Sequence, residues 1–318
     1  MPLPNDAKGD AVRPYGKAAL AEATALLKAG GIVAVPTETV YGLAADSASA
    51  EAVAAIYRAK GRPDFNPLIV HVPGRAAAGR LARFDDLAGR LAAAFWPGPL
   101  TLVLPLAGGA QIAPAVTAGL PTIAVRCPAH PAMQALLRTS GLALAAPSAN
   151  RSGGVSPTSA SHVAASLGAA VPLILDAGSC TAGIESTIVA VREGGWQLLR
   201  PGPVTREMLE AVVGPPFGGA GQGIEAPGQL PSHYAPRQPV RLNVLRPTAD
   251  AWHIGFGPVA GDATLSARGD LAEAAAQLFA RLHEAEASGR TEISVAPVPS
   301  EGIGAAINDR LSRAAAGR

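Results

Sequence analysis

Apolar residues recur along this chain in two rhythms. Ala18, Leu20, Ala21, Leu26 and Leu27 fit a first helix that stops at Gly30-Gly31. After it come short aliphatic runs, each cut by a turn former or a polar group. Ile32-Val33-Ala34-Val35 is stopped by Pro36, Leu68-Ile69-Val70 reaches His71, and Ile123-Ala124-Val125 reaches Arg126. The run 142–146 leads into Pro147, Ile188-Val189 follows two hydroxyls at Ser186 and Thr187, and Leu198-Leu199 closes on Arg200-Pro201-Gly202. Such runs read as strands, and the alanine-rich segments between them as helices, so the pattern predicts an α/β fold.

The punctuation divides the chain. Thr205 is an acceptable N-cap for a helix that stops at Gly214, just before Pro215-Pro216. Across 215–239 glycine and proline dominate, no apolar period survives, and Ser232-His233-Tyr234-Ala235-Pro236 is the one island rich in other side chains. An imidazole and a phenol can cover a ligand while hydrogen-bonding it, which makes the linker a candidate lid. The pattern resumes at 240–245, then predicts a helix over 271–287, a strand around 292–298 and a last helix through Arg310. Asp270 with Glu273 gives the 271–287 helix a start like a capping box. The expected organisation is a first α/β domain over 1–214, a linker over 215–239 and a small α/β domain over 240–318.

Composition narrows the classes. A chain of 318 residues can build two cores, and with 4% aromatic residues those cores must be aliphatic. A net charge of +2 argues against a general nucleic-acid coat and leaves room only for weak RNA binding by local patches. Cys127 and Cys180 have neither metal-ligand spacing nor a disulfide framework, which suits a reducing compartment. No stretch reads as a membrane span, and the amino terminus lacks the basic start and apolar run of a signal peptide. The expected location is cytoplasmic, with no membrane partner.

The candidate chemistry starts from charge. Only Lys8, Lys17, Lys28 and Lys60 are lysines, and Lys60 stands two residues from Arg62. In an extended segment that spacing sends an ammonium and a bidentate guanidinium into one volume, an arrangement suited to phosphate or carboxylate. Ser148 and Asn150 repeat the spacing with neutral donors and acceptors. Strand ends that collect cations and hydroxyls make a site for an anionic ligand. Standard nucleotide loops are missing. Tyr15-Gly16-Lys17-Ala18 has neither the earlier glycine nor the following hydroxyl of a phosphate loop. Gly255-Phe256-Gly257 is interrupted by Pro258, and Gly302-Ile303-Gly304 lacks a third small residue, so both read as turns.

Seven words, PTETVYGL (36–43), KGRP (60–63), NPLIVH (66–71), TIAVR (122–126), APSAN (146–150), GIESTIV (183–189) and LLRPG (198–202), occur in this order. Together they resemble the YrdC/Sua group of threonylcarbamoyl-AMP synthases, and the segment after 240 resembles the extra domain of its two-domain members. The resemblance implies a YrdC-like domain with a twisted mixed sheet flanked by helices, plus a smaller Rossmann-like α/β domain. It implies that ATP, bicarbonate and L-threonine give threonylcarbamoyl-AMP and pyrophosphate, for threonylcarbamoyladenosine in tRNA. It also implies Mg²⁺ carried by ATP with no protein ligand, and a downstream tRNA threonylcarbamoyl transferase machinery as partner. Such a step needs juxtaposed anions and stabilised charge rather than a protein nucleophile.

By the same resemblance Lys60, Arg62, Ser148 and Asn150 form the central tetrad around the carbamate and the reacting phosphate. Thr37, Thr39, His71, Arg126, Ala146 and Ser186 fall on the threonine side, with Arg126 pairing the amino acid's carboxylate. Asn66, Thr122, Ser156, Arg200 and Tyr234 fall on the ATP side with Arg62 and Ser148. Arg58 and Arg75 read as solvated charges. Two other classes stay open. A non-catalytic RNA-binding module would use the same cations with steep salt dependence, and a carbamoyl-adenylating enzyme working through carbamoyl phosphate would belong to a larger protein.

Overall fold

The computed structural model describes residues 11–61, 66–217, 225–227 and 233–317. The aliphatic runs assemble into one ten-stranded mixed sheet. Its order is Val12–Pro14, Ile174–Asp176, Val33–Pro36, Tyr41–Asp46, Leu144–Ala145, Ile69–His71, Thr122–Arg126, Leu100–Pro105, Thr187–Arg192 and Gly195–Arg200. A second sheet of four parallel strands follows, in the order Val240–Arg241, Glu292–Val295, Ala251–Gly255 and Ala263–Thr264. The fold is α/β with a large mixed and a small parallel sheet.

Local chemistry places the helices. Lys17–Lys28 ends two residues before Gly30, whose φ is 82°. Arg206–Val213 runs between an N-cap at Thr205, whose side chain accepts from the Met208 N–H, and a C-cap at Gly214. Leu271–Ala287 begins at Asp270, which accepts from the Glu273 N–H. The reciprocal half of a capping box is not made there, because the Glu273 carboxylate accepts from Ser266 Oγ at 2.7 Å and Ser266 Oγ accepts from the Asp270 N–H. The strand expected over 292–298 stops at Val295, where Pro297 denies the ladder a donor.

The sheets pack through different cores. Leu43, Val70, Leu102, Val125 and Val189 lie in the main core under one face of the large sheet. On its other face a smaller cluster gathers Ile69, Val103, Ala124, Ile188 and Ala190, and Ala226 from the 215–239 segment joins it. The sequence of this segment shows no apolar period. Ala226 packs in that cluster beside Glu225, whose carboxylate accepts both 2.6 and 2.7 Å bonds from Arg192 Nη2. The second sheet's cluster includes Phe279, Ile293, Ile307 and Leu311, and it extends to Val40, Val155 and Ile184 of the first unit and to Tyr234. Gly183, at φ 70°, shows how close that approach is: a Cβ there would meet Ala276 Cα at 2.4 Å.

Candidate active site

Strand register builds the site. His71 pairs with Arg126, Arg126 with Thr101, Thr101 with Ile188 and Ile188 with Arg200, across five neighbouring strands. Residues paired in register project to the same face. One polar row therefore crosses an otherwise aliphatic face, with His71, Arg126 and Arg200 in it. A turn from two further strands of the sheet meets the row: Thr37 and Thr39 lie between the antiparallel strands Val33–Pro36 and Tyr41–Asp46. The loop after Leu144–Ala145 brings Ala146 and Ser148, pinned by Ala146 N–H to the Ile69 carbonyl and Leu43 N–H to the Pro147 carbonyl.

A cavity of about 50 Å³ opens at this convergence, lined by Thr37, Thr39, His71, Arg126, Ser148 and Arg200 among others. Ala146, Ser186, Glu185, Pro227, His233 and Tyr234 complete the polar and linker part of its wall. All six residues assigned to the threonine side thus share one cavity with Ser148, Arg200 and Tyr234.

Its electrostatics are strongly biased. Arg126 Nη2 lies 2.7 Å from Glu38 Oε1, Nη1 donates to Thr39 Oγ1 at 2.8 Å, and Nε donates to the Gly98 carbonyl at 3.3 Å. Thr39 Oγ1 in turn shares a 2.8 Å bond with Thr37 Oγ1. Burial alone would raise the Glu38 carboxyl, but the Arg126 charge and the bonds from Arg126 and the Ala129 N–H hold it below its ordinary value. His71 is pushed down to about 3, first by burial and then by the Arg126 charge, so its imidazole is neutral. Its Nδ1 is buried with no hydrogen-bond partner among the described residues. Arg200 donates to the Ser186 carbonyl through Nε at 3.1 Å and Nη2 at 2.9 Å, and Ser186 Oγ bonds Thr101 Oγ1 at 2.8 Å. Gly202 permits this turn, since a Cβ would lie 2.4 Å from Thr187 N and 2.8 Å from the Glu185 carbonyl oxygen.

Of the expected tetrad, the described members Lys60, Ser148 and Asn150 meet through backbone carbonyls rather than as side chains in one volume. Lys60 is the last residue of the helix Ala50–Lys60, ended by Gly61 at φ 58° with its N–H on the Arg58 and Tyr57 carbonyls. The extended reading of this segment fails because glycine closes a helix there in the left-handed conformation. Buried Lys60 Nζ donates to the carbonyls of Ser148 at 2.5 Å and Asn150 at 2.6 Å. Arg62 lies outside the described residues. Ser148 faces the cavity. Asn150 turns away, its Nδ2 donating to the Arg151 and Gly154 carbonyls at 2.8 Å each.

Three residues assigned to the ATP side also stand off the cavity wall. Thr122 begins the strand that Arg126 ends, roughly 13 Å away at ordinary strand rise. Asn66 is buried, with its carbonyl accepting from Tyr57 OH at 3.2 Å. Ser156 Oγ donates to Glu185 Oε1 at 2.5 Å. Arg75 is not merely solvated, because its guanidinium carbon sits 3.4 Å over the Phe84 ring. Sequence reasoning missed Glu38 and Glu185. The signal was present, since both are carboxylates inside motif words otherwise made of hydroxyl and aliphatic residues.

Comparison with known proteins extends over both sheets. A family described as "Telomere recombination" matches residues 25–202, and one described as "Threonylcarbamoyl-AMP synthase, C-terminal domain" matches residues 204–316. The chain is 39% identical over 335 residues to a threonylcarbamoyl-AMP synthase of Bacillus subtilis, covering 94% of this chain and 93% of that one. It is 38% identical over 317 residues to a threonylcarbamoyl-AMP synthase of Pyrococcus abyssi, covering 92% of each. The crystal structure of P. abyssi Sua5 complexed with L-threonine matches with a TM-score of 0.87 at 35% identity, covering 96% of this chain and 97% of that one.

Proposed function

The chain belongs to the threonylcarbamoyl-AMP synthase family, and on that premise we infer that it makes threonylcarbamoyl-AMP and pyrophosphate from ATP, bicarbonate and L-threonine. It is a nucleotidyltransferase of tRNA modification, and its product supplies threonylcarbamoyladenosine formation. The observation that carries the reading is the in-register row of His71, Arg126 and Arg200 facing the hydroxyls of Thr37, Thr39 and Ser148 in one cavity. Two guanidiniums and a neutral imidazole suit a zwitterionic amino acid that becomes an anionic carbamate.

The threonine amine attacks the carbon of bicarbonate, and loss of water leaves a carbamate. A carbamate oxygen then attacks the α-phosphorus of ATP, forming a P–O bond as the bond to the β-phosphate oxygen breaks and pyrophosphate leaves. No protein nucleophile is needed. What the protein supplies is placement and fixed positive charge. Arg126 takes the threonine carboxylate on the edge now turned to Thr39, and neutral His71 bonds a substrate hydroxyl or amine without adding charge. Arg200, Ser148 and Tyr234 face the phosphate end, and Arg62 adds a bidentate donor there. The resemblance alone supports the ATP assignment of Asn66, Thr122 and Ser156. Lys60 and Asn150 shape the loop that carries Ser148.

Mg²⁺ comes with ATP, whose phosphate oxygens and waters can supply its ligands. Among the described residues no group of three or more His, Cys, Asp or Glu side chains could hold a metal ion. Among them, too, no helix is long and apolar enough to cross a membrane. Both cysteines are buried and free, which fits our placement of the protein in the cytoplasm, delivering its product to a tRNA threonylcarbamoyl transferase machinery, with RNA contact at most weak. The test is pyrophosphate release from ATP with each amino acid in turn, with and without bicarbonate. Release is expected only with L-threonine and bicarbonate together; release that ignores threonine overturns the reading.

A further inference from the structure

The wall of the cavity is held from the second unit. Arg310, on the helix Gly304–Ala315, is 0% exposed, and it stands on a face otherwise made of Ala306, Ile307, Leu311 and Ala314. Its Nε donates to Glu185 Oε2 at 2.8 Å and its Nη2 to the Glu185 carbonyl at 3.5 Å. Its Nη1 bonds Asp309 Oδ2 at 2.7 Å, and the Tyr234 ring lies 5.3 Å from its guanidinium carbon. The other Glu185 oxygen is taken by Ser156 Oγ. The helix Leu271–Ala287 adds His283, whose Nε2 lies 3.1 Å from the Ser156 carbonyl oxygen.

An apolar contact would join two units at least as well, because desolvating both charges offsets much of their attraction. What it could not do is fix a carboxylate beside a substrate-facing arginine. Glu185 lines the cavity next to Ser186, and the Ser186 carbonyl anchors Arg200. The charged or titratable groups that face Glu185 are Arg310 on the helix, Arg200 on its strand and Tyr234 from the linker, with Asp309 acting on Arg310 and Tyr234. We propose that Arg310 is a positioning residue for the reaction: by occupying Glu185 Oε2 it keeps that carboxylate off Arg200, so Arg200 stays on Ser186 and aimed into the cavity.

Burial would raise the Glu185 carboxyl, but the charges of Arg310 and Arg200 and the Ser156 bond hold it below its ordinary value. Without Arg310 the buried carboxyl has two outcomes. It ionises and captures Arg200, or it takes a proton and leaves Arg200 in place. Activity then falls as pH rises through the newly raised Glu185 value, a dependence the intact protein lacks.

This role rests on the threonylcarbamoyl-AMP reading, and the controls separate the two. Full-length wild type, Arg310→Met, Arg310→Lys and the double variant Arg310→Met with Glu185→Gln are assayed for threonine-dependent pyrophosphate release from pH 6 to 9, with circular dichroism for folding. Arg310→Met is expected to lose roughly tenfold or more in kcat at the alkaline end, and less at the acid end. Adding Glu185→Gln is expected to flatten the profile and return part of the rate. Arg310→Lys keeps the charge and is expected to lose kcat without a new pH limb, which decides the matter even if Arg310→Met fails to fold. A folded Arg310→Met with wild-type rate and profile, a double variant no better than the single, or a new pH limb in Arg310→Lys overturns the role while leaving the reaction standing. An inactive wild type overturns the reaction and this role with it.

Discussion

Glu38 and Arg126 form an ion pair at 2.7 Å, with side-chain exposures of 12% and 4%, and that pair fixes which edge of Arg126 meets the cavity. With Nη2 against Glu38 and Nε on Gly98, the Nη1 edge, now on Thr39, can be given to a ligand. Arg126→Ala should therefore raise the KM for threonine by roughly tenfold or more while changing the KM for ATP far less, the pattern of losing one charge-assisted contact to one substrate. Steady-state kinetics with each substrate varied separates them. Equal losses for both would place Arg126 elsewhere.

Lys60 acts through backbone. Its ammonium bonds the carbonyls of both Ser148 and Asn150, so it fixes the loop rather than facing the cavity. Lys60→Met leaves two carbonyls short of a charged donor, and stability should fall by about 2–4 kcal/mol in urea unfolding, with activity lost as Ser148 drifts. A variant as stable as wild type but inactive would show Lys60 touching substrate instead.

Helix ends were legible in the sequence because their chemistry is local: Thr205, Gly214 and Asp270 each cap where their residue types predict. The Lys60 segment misled because two-apart spacing means a shared face only in a strand, and Gly61 ends a helix there. His71, Arg126 and Arg200 could be picked out as polar strand ends. That they form one row could not, since register is set by pairing between distant strands. Arg310 was beyond reach for the same reason, 125 residues from Glu185 and set in an alanine-rich helix that gives no local sign of a partner.

Stability should fall in acid before the carboxylates titrate. His71 is pushed down to about 3 and His162 to about 4, each by burial first, while His283, stacked on His162 with centroids 3.9 Å apart, is also lowered. A base whose folded value is depressed stabilises the fold above its unfolded value, near 6.5, and loses that contribution as pH falls toward the folded one. Glu38 and Glu185 are held below their ordinary values and act in the same direction only at lower pH. The unfolding midpoint should thus drop steadily from about pH 6.5 to 4. His162→Gln should flatten that slope, and an unchanged slope would show that His162 is not buried neutral.

The linker should close over bound substrates. His233 and Tyr234 already form part of the cavity wall, although Ser232 lies outside the described residues. Tyr234 holds a φ of 62°, a conformation a side-chain-bearing residue adopts at a cost, and its ring packs 4.1 Å from His233 and 5.6 Å from Phe279 of the second unit. A tether with no role at the site has no need of that strain, whereas a mixed anhydride with phosphate hydrolyses in an open site and gains from a cover. Proteolytic cleavage within 215–239 should slow when ATP and threonine are added together. Tyr234→Ala should lose this protection and most activity, while its product, if formed, hydrolyses faster relative to release. Cleavage indifferent to both ligands, with full activity in the variant, would leave the segment a tether that happens to line the wall.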